Sequence, residues 1–211
     1  MPKPKVFIFL HGYDSCGKDM MVLDSVFRKI APEGSQFLFP DAPFPVNNGK
    51  GFCWFPFVFG DNPFDINEDF IFTSMQQALP YLKAYIDKNV DWSRFTKQDI
   101  ILIGFSQGAG LALHASMRLG EKICGVISFS GGLANPHNEV KHKLEQDCKS
   151  QVCFIHGTDD AILPYQFSQR GYKMLKTAGF ETELHILQDT KHIITPEAMK
   201  IAEKFVKKII K

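Results

Sequence analysis

The 211-residue sequence has almost no net charge: 24 lysines and arginines stand against 23 acids, for a formal +1 at pH 7. Nucleic-acid binding needs a clustered basic excess, so no nucleic-acid partner is expected. The nearest thing to a charge run is Lys204, Lys207, Lys208 and Lys211. It falls in the last turns of a predicted C-terminal helix, where cations complement the helix dipole. Met1-Pro2-Lys3-Pro4-Lys5 leads into only about six apolar residues, too few for a signal-peptide core and far too few to span a bilayer. Stable membrane insertion is therefore not expected. Cysteine is sparse and odd in number (Cys16, Cys53, Cys124, Cys148 and Cys153), with no C-x-x-C pair. That pattern fits reduced thiols in a cytoplasmic protein, with Cys124 and Cys153 buried in apolar runs. No two histidines form a His-x-x-x-His or similar arrangement, so neither a metal nor another cofactor is expected. Internal repeats, low-complexity tracts and linkers are absent, which predicts one domain over residues 1–211. Nothing in the sequence reads for or against a homo-oligomer.

Apolar residues make up 45 % of the chain, enough for a sizeable core at this length. Short, near-continuous apolar runs recur at residues 6–10, 37–39, 100–103, 125–129, 152–155 and 184–187. Continuous rather than alternating hydrophobicity is what strands buried on both faces require. Helical patterns lie between them. Across residues 68–89, Ile71, Met75, Ala78, Leu79, Leu82 and Ile86 form one stripe, and Pro80 is expected to kink or break that helix. Thr195-Pro196-Glu197 reads as an N-cap, a proline at the first helical position and an acid in the first turn. Strands alternating with helices predict an α/β fold with a mainly parallel sheet covered on both faces.

Residues 43–67 resist this scheme. Four prolines punctuate them, no period is evident, and they hold Phe44, Phe52, Trp54, Phe55, Phe57, Phe59 and Phe64. A long aromatic loop is predicted there. Its rings either anchor it to the core or line an apolar substrate pocket. The segment 134–148 reads as loop plus a polar helix.

The chemistry centres on Gly104-Phe105-Ser106-Gln107-Gly108. An apolar strand precedes it and a helical segment follows, the context in which a G-x-S-x-G serine becomes a nucleophile. A serine hydroxyl needs a base, and the base needs an orienting group. On a parallel sheet both belong at C-terminal strand ends, where ligands bind. His156-Gly157-Thr158-Asp159-Asp160 follows one strand and offers two carboxylates; His192 stands in the loop after the last strand. The order Ser, Asp, His is that of α/β-hydrolases. The backbone N–H of Gln107, after the serine, and that of Tyr13, in the His11-Gly12-Tyr13 loop after the first strand, are the candidate oxyanion donors. His11 and His156 each precede a glycine at a strand end and are expected to bond loop backbone.

The set Leu10-His11-Gly12-Tyr13, Pro40-Asp41-Ala42-Pro43, Trp54-Phe55, Gly104-Phe105-Ser106-Gln107-Gly108, His156-Gly157-Thr158-Asp159-Asp160 and His192 resembles the phospholipase/carboxylesterase family of α/β-hydrolases. The family includes acyl-protein thioesterases and small bacterial carboxylesterases. The resemblance spans residues 10 to 197. It implies an α/β-hydrolase fold, a triad of Ser106, Asp160 and His192, an oxyanion hole of Tyr13 and Gln107, and substrate contacts from Trp54 and Phe55. It implies a small acyl ester or thioester as substrate. The chain departs from the family pattern at Asp14 and Lys191, where glycine is usual, and at Ala161, where proline is usual. Rival readings are a lysophospholipase, a peptidase, or a catalytically silent hydrolase fold used for binding.

Overall fold

The computed structural model describes residues 2–56, 67–134 and 149–211. All six predicted strands form: β1 (Val6–Leu10), β2 (Gln36–Leu38), β5 (Ile100–Phe105), β6 (Gly125–Phe129), β7 (Gln151–Gly157) and β8 (Thr182–Leu187). They make one sheet in the order β2-β1-β5-β6-β7-β8, with every neighbouring pair parallel. The chain moves outward from β1 to β2 and then crosses back to β5 on the other side. The order therefore reverses between β1 and β5, and a crevice opens beyond the C-terminal ends of such a pair. The residues that follow these two ends are His11 and Ser106.

Among the described residues six α-helices flank the sheet: α1 (Gly17–Met20), α2 (Asp24–Ile30), α3 (Glu68–Asn89), α4 (Gln107–Ser116), α5 (Gln166–Thr177) and α6 (Pro196–Ile209). One face of the sheet packs Val6, Ile8 and Leu102 against Met75, Ala78 and Leu82 of α3, Leu111 of α4 and Leu175 of α5. The other packs Phe7, Phe9, Ile101 and Ile103 against Phe27 of α2 and Ala202, Phe205 and Val206 of α6. Strict alternation along each strand, with both faces covered, is why the strands read as unbroken apolar runs. Several of the chain's 20 phenylalanines are used here. Phe7 stacks on Phe37 at 4.8 Å, Phe9 stacks on Phe39 at 4.6 Å, and Phe27 meets Phe9 edge-on at 5.5 Å. Each such pair adds about 0.5–1.5 kcal/mol beyond its burial.

Two local expectations are corrected in part. Of the kink or break expected at Pro80, the break does not occur: α3 runs unbroken through it. The proline lies on the exposed side, where water can satisfy the Gln76 carbonyl that has lost its donor, while Met75, Ala78, Leu82 and Ile86 hold the inner stripe on the sheet. The stretch 43–67 is not structureless throughout. It contains an antiparallel hairpin of β3 (Phe44–Val46) and β4 (Gly51–Cys53), turned by Asn47, Asn48 and Gly49, all at positive φ. Asn-Asn-Gly between short apolar runs is a hairpin signal. The rings of Phe57, Phe59 and Phe64, and the segment 135–148, lie outside the described residues. The Thr195 cap forms as expected, its hydroxyl accepting from Ala198 N–H at 3.1 Å.

Asp99 closes the opposite end of the sheet. Its buried carboxylate accepts from Lys3 Nζ at 2.6 Å and Lys5 Nζ at 3.0 Å, and from Thr96 N and Oγ1 at 3.0 Å each. Burial by itself would raise the carboxyl; these donors outweigh it and hold it at about 2. A depressed folded-state value stabilises above the unfolded value of about 4 and is lost as pH falls through the folded value. Asp99→Asn should cost about 1–2 kcal/mol at neutral pH, after allowance for the solvent around Lys3. In urea denaturation, that deficit should shrink toward zero as the pH approaches the folded value; a deficit unchanged with pH would refute the ion-pair account.

Candidate active site

Ser106 stands at the junction of β5 and α4 with φ 53° and ψ −117°. A non-glycine residue in that region is strained, and the strain is locked by packing on both sides. A Cβ on Gly104 would lie 2.4 Å from Ala109 Cα, and one on Gly108 would lie 2.2 Å from the Leu10 carbonyl oxygen. Only glycine permits the strand to turn straight into the helix and the helix to press on the end of β1. Ser106 N–H is held by the Phe129 carbonyl at 2.9 Å. The side chain is left at the tip of the turn, over the N-terminus of α4, whose first N–H groups have no carbonyl within the helix.

The loop after β1 comes up beside it. A Cβ on Gly12 would sit 3.4 Å from Ser106 Cβ. The ring of His11 fixes this loop: Nδ1 donates to the Gly12 carbonyl at 2.7 Å and Nε2 accepts from Ala42 N–H at 3.0 Å. Burial lowers the imidazole's affinity for a proton, in keeping with a neutral ring that donates from one nitrogen and accepts at the other. The next turn carries Asp14 at φ 56°, the left-handed conformation that glycine serves elsewhere and that aspartate tolerates. Gln107 ties in the tail of the hairpin. Its Oε1 accepts from Trp54 N–H at 2.8 Å and its Nε2 donates to the Phe55 carbonyl at 2.7 Å. The Trp54 indole donates to the His11 carbonyl at 2.9 Å.

Trp54, expected at the substrate, is therefore an anchor. It is 1 % exposed and is not among the residues that line the cleft beside Ser106. Phe55 does line it. The cleft has a volume of about 90 Å³ and is walled by Tyr13, Phe55, Ser106 and Gln107 together with Ile71, Met75, Leu133 and Phe167. Its mostly apolar walls suit the apolar part of a small organic ligand.

Asp160 and His192 meet although 32 positions apart. His192 Nδ1 donates to Asp160 Oδ2 at 2.6 Å. Three contacts bring their loops together: Asp159 N–H to the Thr190 carbonyl, Thr158 N–H to the Leu187 carbonyl, and Asp189 N–H to Thr158 Oγ1, each 2.9 Å. A Cβ on Gly157 would lie 2.0 Å from the Thr190 carbonyl oxygen, so glycine is required there too. The Asp160 side chain is fully buried. Burial would raise its carboxyl, but hydrogen bonds from His156, His192 and Leu163 N–H outweigh it and hold the group well below the usual carboxylate range. The neighbouring Asp159 is exposed and turned to Thr158 Oγ1. The His192 ring lies against Phe105 at 4.9 Å between centroids, beside the residue that precedes Ser106. Among the described residues, no hydrogen bond joins Ser106 Oγ to His192 Nε2; such bonds are often long before substrate binds.

A model of the phospholipase/carboxylesterase family matches residues 1–210. The chain belongs to the phospholipase/carboxylesterase family. Within it, the chain is 27 % identical over 217 residues to acyl-protein thioesterase 1 of Saccharomyces cerevisiae, covering 98 % of this chain and 93 % of that one. It is 26 % identical over 208 residues to carboxylesterase SOBER1 of Arabidopsis thaliana, covering 97 % and 90 %. The crystal structure of esterase PE8 superimposes with a TM-score of 0.88 at 30 % identity, covering 99 % of this chain and 94 % of the other.

Two features of this phospholipase/carboxylesterase chain escaped the sequence. His156, expected to bond loop backbone, does reach the Leu163 carbonyl at 2.8 Å, but its Nε2 also lies 3.0 Å from Asp160 Oδ2. The His-x-x-x-Asp spacing was the available signal. Cys153, Glu183 and His185 have donor atoms within 4.8 Å of one another, the one such group among the described residues. It is poorly suited to a metal. Lys208 Nζ already pairs with Glu183 at 2.8 Å, and burial drives the Cys153 thiol far up, away from the thiolate a metal requires. No helix among the described residues is long and apolar enough to cross a membrane.

Proposed function

We propose that the chain is a serine hydrolase of carboxylic esters or thioesters that works through Ser106, His192 and Asp160. Family membership over residues 1–210 supports the ester-hydrolase class. The observation that carries the assignment to residues is Ser106, strained at φ 53° on the wall of an apolar cleft.

In this reading Ser106 Oγ attacks the acyl carbon while His192 Nε2 takes its proton. Asp160 holds Nδ1, fixes the tautomer and stabilises the imidazolium that forms. The N–H groups of Gln107 and Tyr13 receive the developing oxyanion, each worth about 2.7–4 kcal/mol of barrier. Collapse of the tetrahedral intermediate expels the alcohol or thiol, which His192 protonates. His192 then draws a proton from water, the hydroxide equivalent attacks the acyl-enzyme, and the acid and free Ser106 are released. The ring of Phe55 and the side chains of Ile71, Met75 and Phe167 favour an uncharged acyl chain over a charged one. The free thiols of Cys16, Cys53, Cys124 and Cys153 support a reducing, cytoplasmic setting.

The purified protein should turn over p-nitrophenyl esters and the matching acyl thioesters, with kcat/KM rising as a short uncharged chain is lengthened and falling when a carboxylate is added to it. Lysolipids in the same series separate a lysophospholipase from a general esterase. No turnover of any of these compounds would defeat the reading and favour a silent fold used for binding.

A further inference from the structure

His156 is buried on β7 and has hydrogen-bonding neighbours on every side. Its Nε2 faces two groups that only accept: Asp160 Oδ2 at 3.0 Å and the Leu163 carbonyl at 2.8 Å. An ionised carboxylate and a carbonyl have no proton to offer, so Nε2 must carry one. Its Nδ1 lies 2.7 Å from Ser168 Oγ. A hydroxyl could supply the proton for that bond, but the single Ser168 hydroxyl proton is already committed. Ser168 Oγ is in close hydrogen-bond contact with the Gly131 carbonyl, and a carbonyl oxygen only accepts. Each ring nitrogen of His156 therefore faces a group placed to accept.

The arrangement has a consequence for the acid of the triad. His156 and His192 both bond Oδ2 of Asp160, while Oδ1 accepts from Ile162 N–H at 3.0 Å and Leu163 N–H at 2.8 Å. We propose that His156 is a positioning residue held as a buried cation by Ser168 and Gly131, and that by sharing one carboxylate oxygen with His192 it keeps His192 unprotonated, and so competent as a base, to lower pH. With Asp160 serving a permanent cation, a proton added to His192 gains less from that carboxylate and meets a like charge across it. The inference rests on the proposed triad.

Among the described residues, the other charged groups around the pair are spent or exposed. Asp159 turns to Thr158; Asp189 and Lys191, on the His192 loop, are exposed. The helix α5 brings Arg170, paired with Glu68, and the exposed Lys173 and Lys176. The strand β8 brings Glu183 and His185, bonded to each other. None of these donates to or accepts from the Asp160 carboxylate.

Two measurements test this. In the wild-type protein, the imidazole nitrogen resonances of His156, assigned by their loss in His156→Gln, should show both nitrogens protonated across the neutral range, while those of His192 change with pH. In Ser168→Ala, which removes the acceptor for Nδ1–H, and in His156→Gln, which removes the cation, the acid limb of the kcat/KM profile should move to higher pH by on the order of one unit. A merely structural role would lower the melting temperature and leave the limb in place. An unprotonated Nδ1 in the wild type, or a limb that stays or moves down in both variants, overturns the inference. If neither variant folds, the wild-type spectrum decides alone, with the resonances then assigned by isotope-edited contacts to Ser168 and Leu163. Failure of the wild-type enzyme to hydrolyse any ester would instead strike the triad reading, and leaves the spectrum to be read independently.

Discussion

Ser106→Ala lowers kcat for p-nitrophenyl ester hydrolysis by at least about 10⁴-fold, while the melting temperature stays close to that of the wild type. The expected size follows from the role: when the atom that bonds to the acyl carbon is removed, the partners left behind recover little, and knockouts of a triad serine alone cost nearly as much as removal of the whole triad. The fold should survive because, among the described residues, the hydroxyl holds no hydrogen bond. Ser106 enters the fold through its backbone, by the N–H to the Phe129 carbonyl and by its own carbonyl, which accepts from Ala109 and Gly110 N–H at 3.0 and 3.2 Å. The strained φ is enforced by the packing of Gly104 and Gly108, which alanine at 106 does not disturb. A fluorophosphonate probe should label the wild type at Ser106 and fail to label the variant. A residual rate within tenfold of the wild type would mean that another residue is the nucleophile.

The second large effect is expected two positions further on. Gly108→Ala adds one methyl group, yet its Cβ would lie 2.2 Å from the Leu10 carbonyl oxygen and 2.5 Å from that of His11. Both obstacles are backbone at the end of a central strand and cannot turn aside. Either α4 or the β1 loop must move. Overpacking of this kind costs about 1–3 kcal/mol, occasionally more; with two backbone atoms so close, the upper end is expected. The displacement also separates the Gln107 N–H from the Tyr13 loop, and a misplacement of about 1 Å at a reacting centre can cost on the order of 10²-fold in rate. Gly110→Ala, on the same helix, is the control. Its Cβ would meet only the Gly132 carbonyl at 3.5 Å and Met75 Sδ at 3.7 Å, ordinary contact distances. That change should leave stability unaltered or raised by up to about 1 kcal/mol. Chemical denaturation of the two variants side by side checks the claim, and equal stabilities would refute it.

The sheet was legible because its strands are buried on both faces. Each is a near-continuous apolar run that periodicity finds without knowledge of its neighbours, and the observed strands differ from those runs by only a few residues at the ends. The cap at Thr195 was legible for the same reason, since it involves four consecutive residues and nothing else. At Pro80 the helix does not break, because the exposure that lets water satisfy the freed carbonyl depends on which side of α3 meets the sheet, and that is not a local property. The hairpin of β3 and β4 is faint in the sequence because its strands are three residues each and its signal is confined to Asn47-Asn48-Gly49, the residues that turn it.

At the site, chain order and motif named Ser106, Asp160 and His192, and strand ends suggested that they gather at one rim. What a linear sequence cannot supply is which atoms share a partner. Trp54 and Phe55 are adjacent and both buried, but the Trp54 ring packs beside His11 while Phe55 also lines the cleft. His156 and Asp160 are four positions apart, a spacing that means a bond only once β7 ends and the chain folds back over its own tip.

The amino-acid order by itself determined the α/β class, the sheet's strands and the family, and it named the candidate reactive side chains. These depend on hydrophobic period and on short motifs, both local properties. Tertiary structure alone decided that a second histidine leans on the acid, that Trp54 is an anchor, and that the walls beside Ser106 are apolar. Those outcomes come from contacts between residues far apart in the chain, where burial and hydrogen-bond geometry, rather than propensity, select the arrangement.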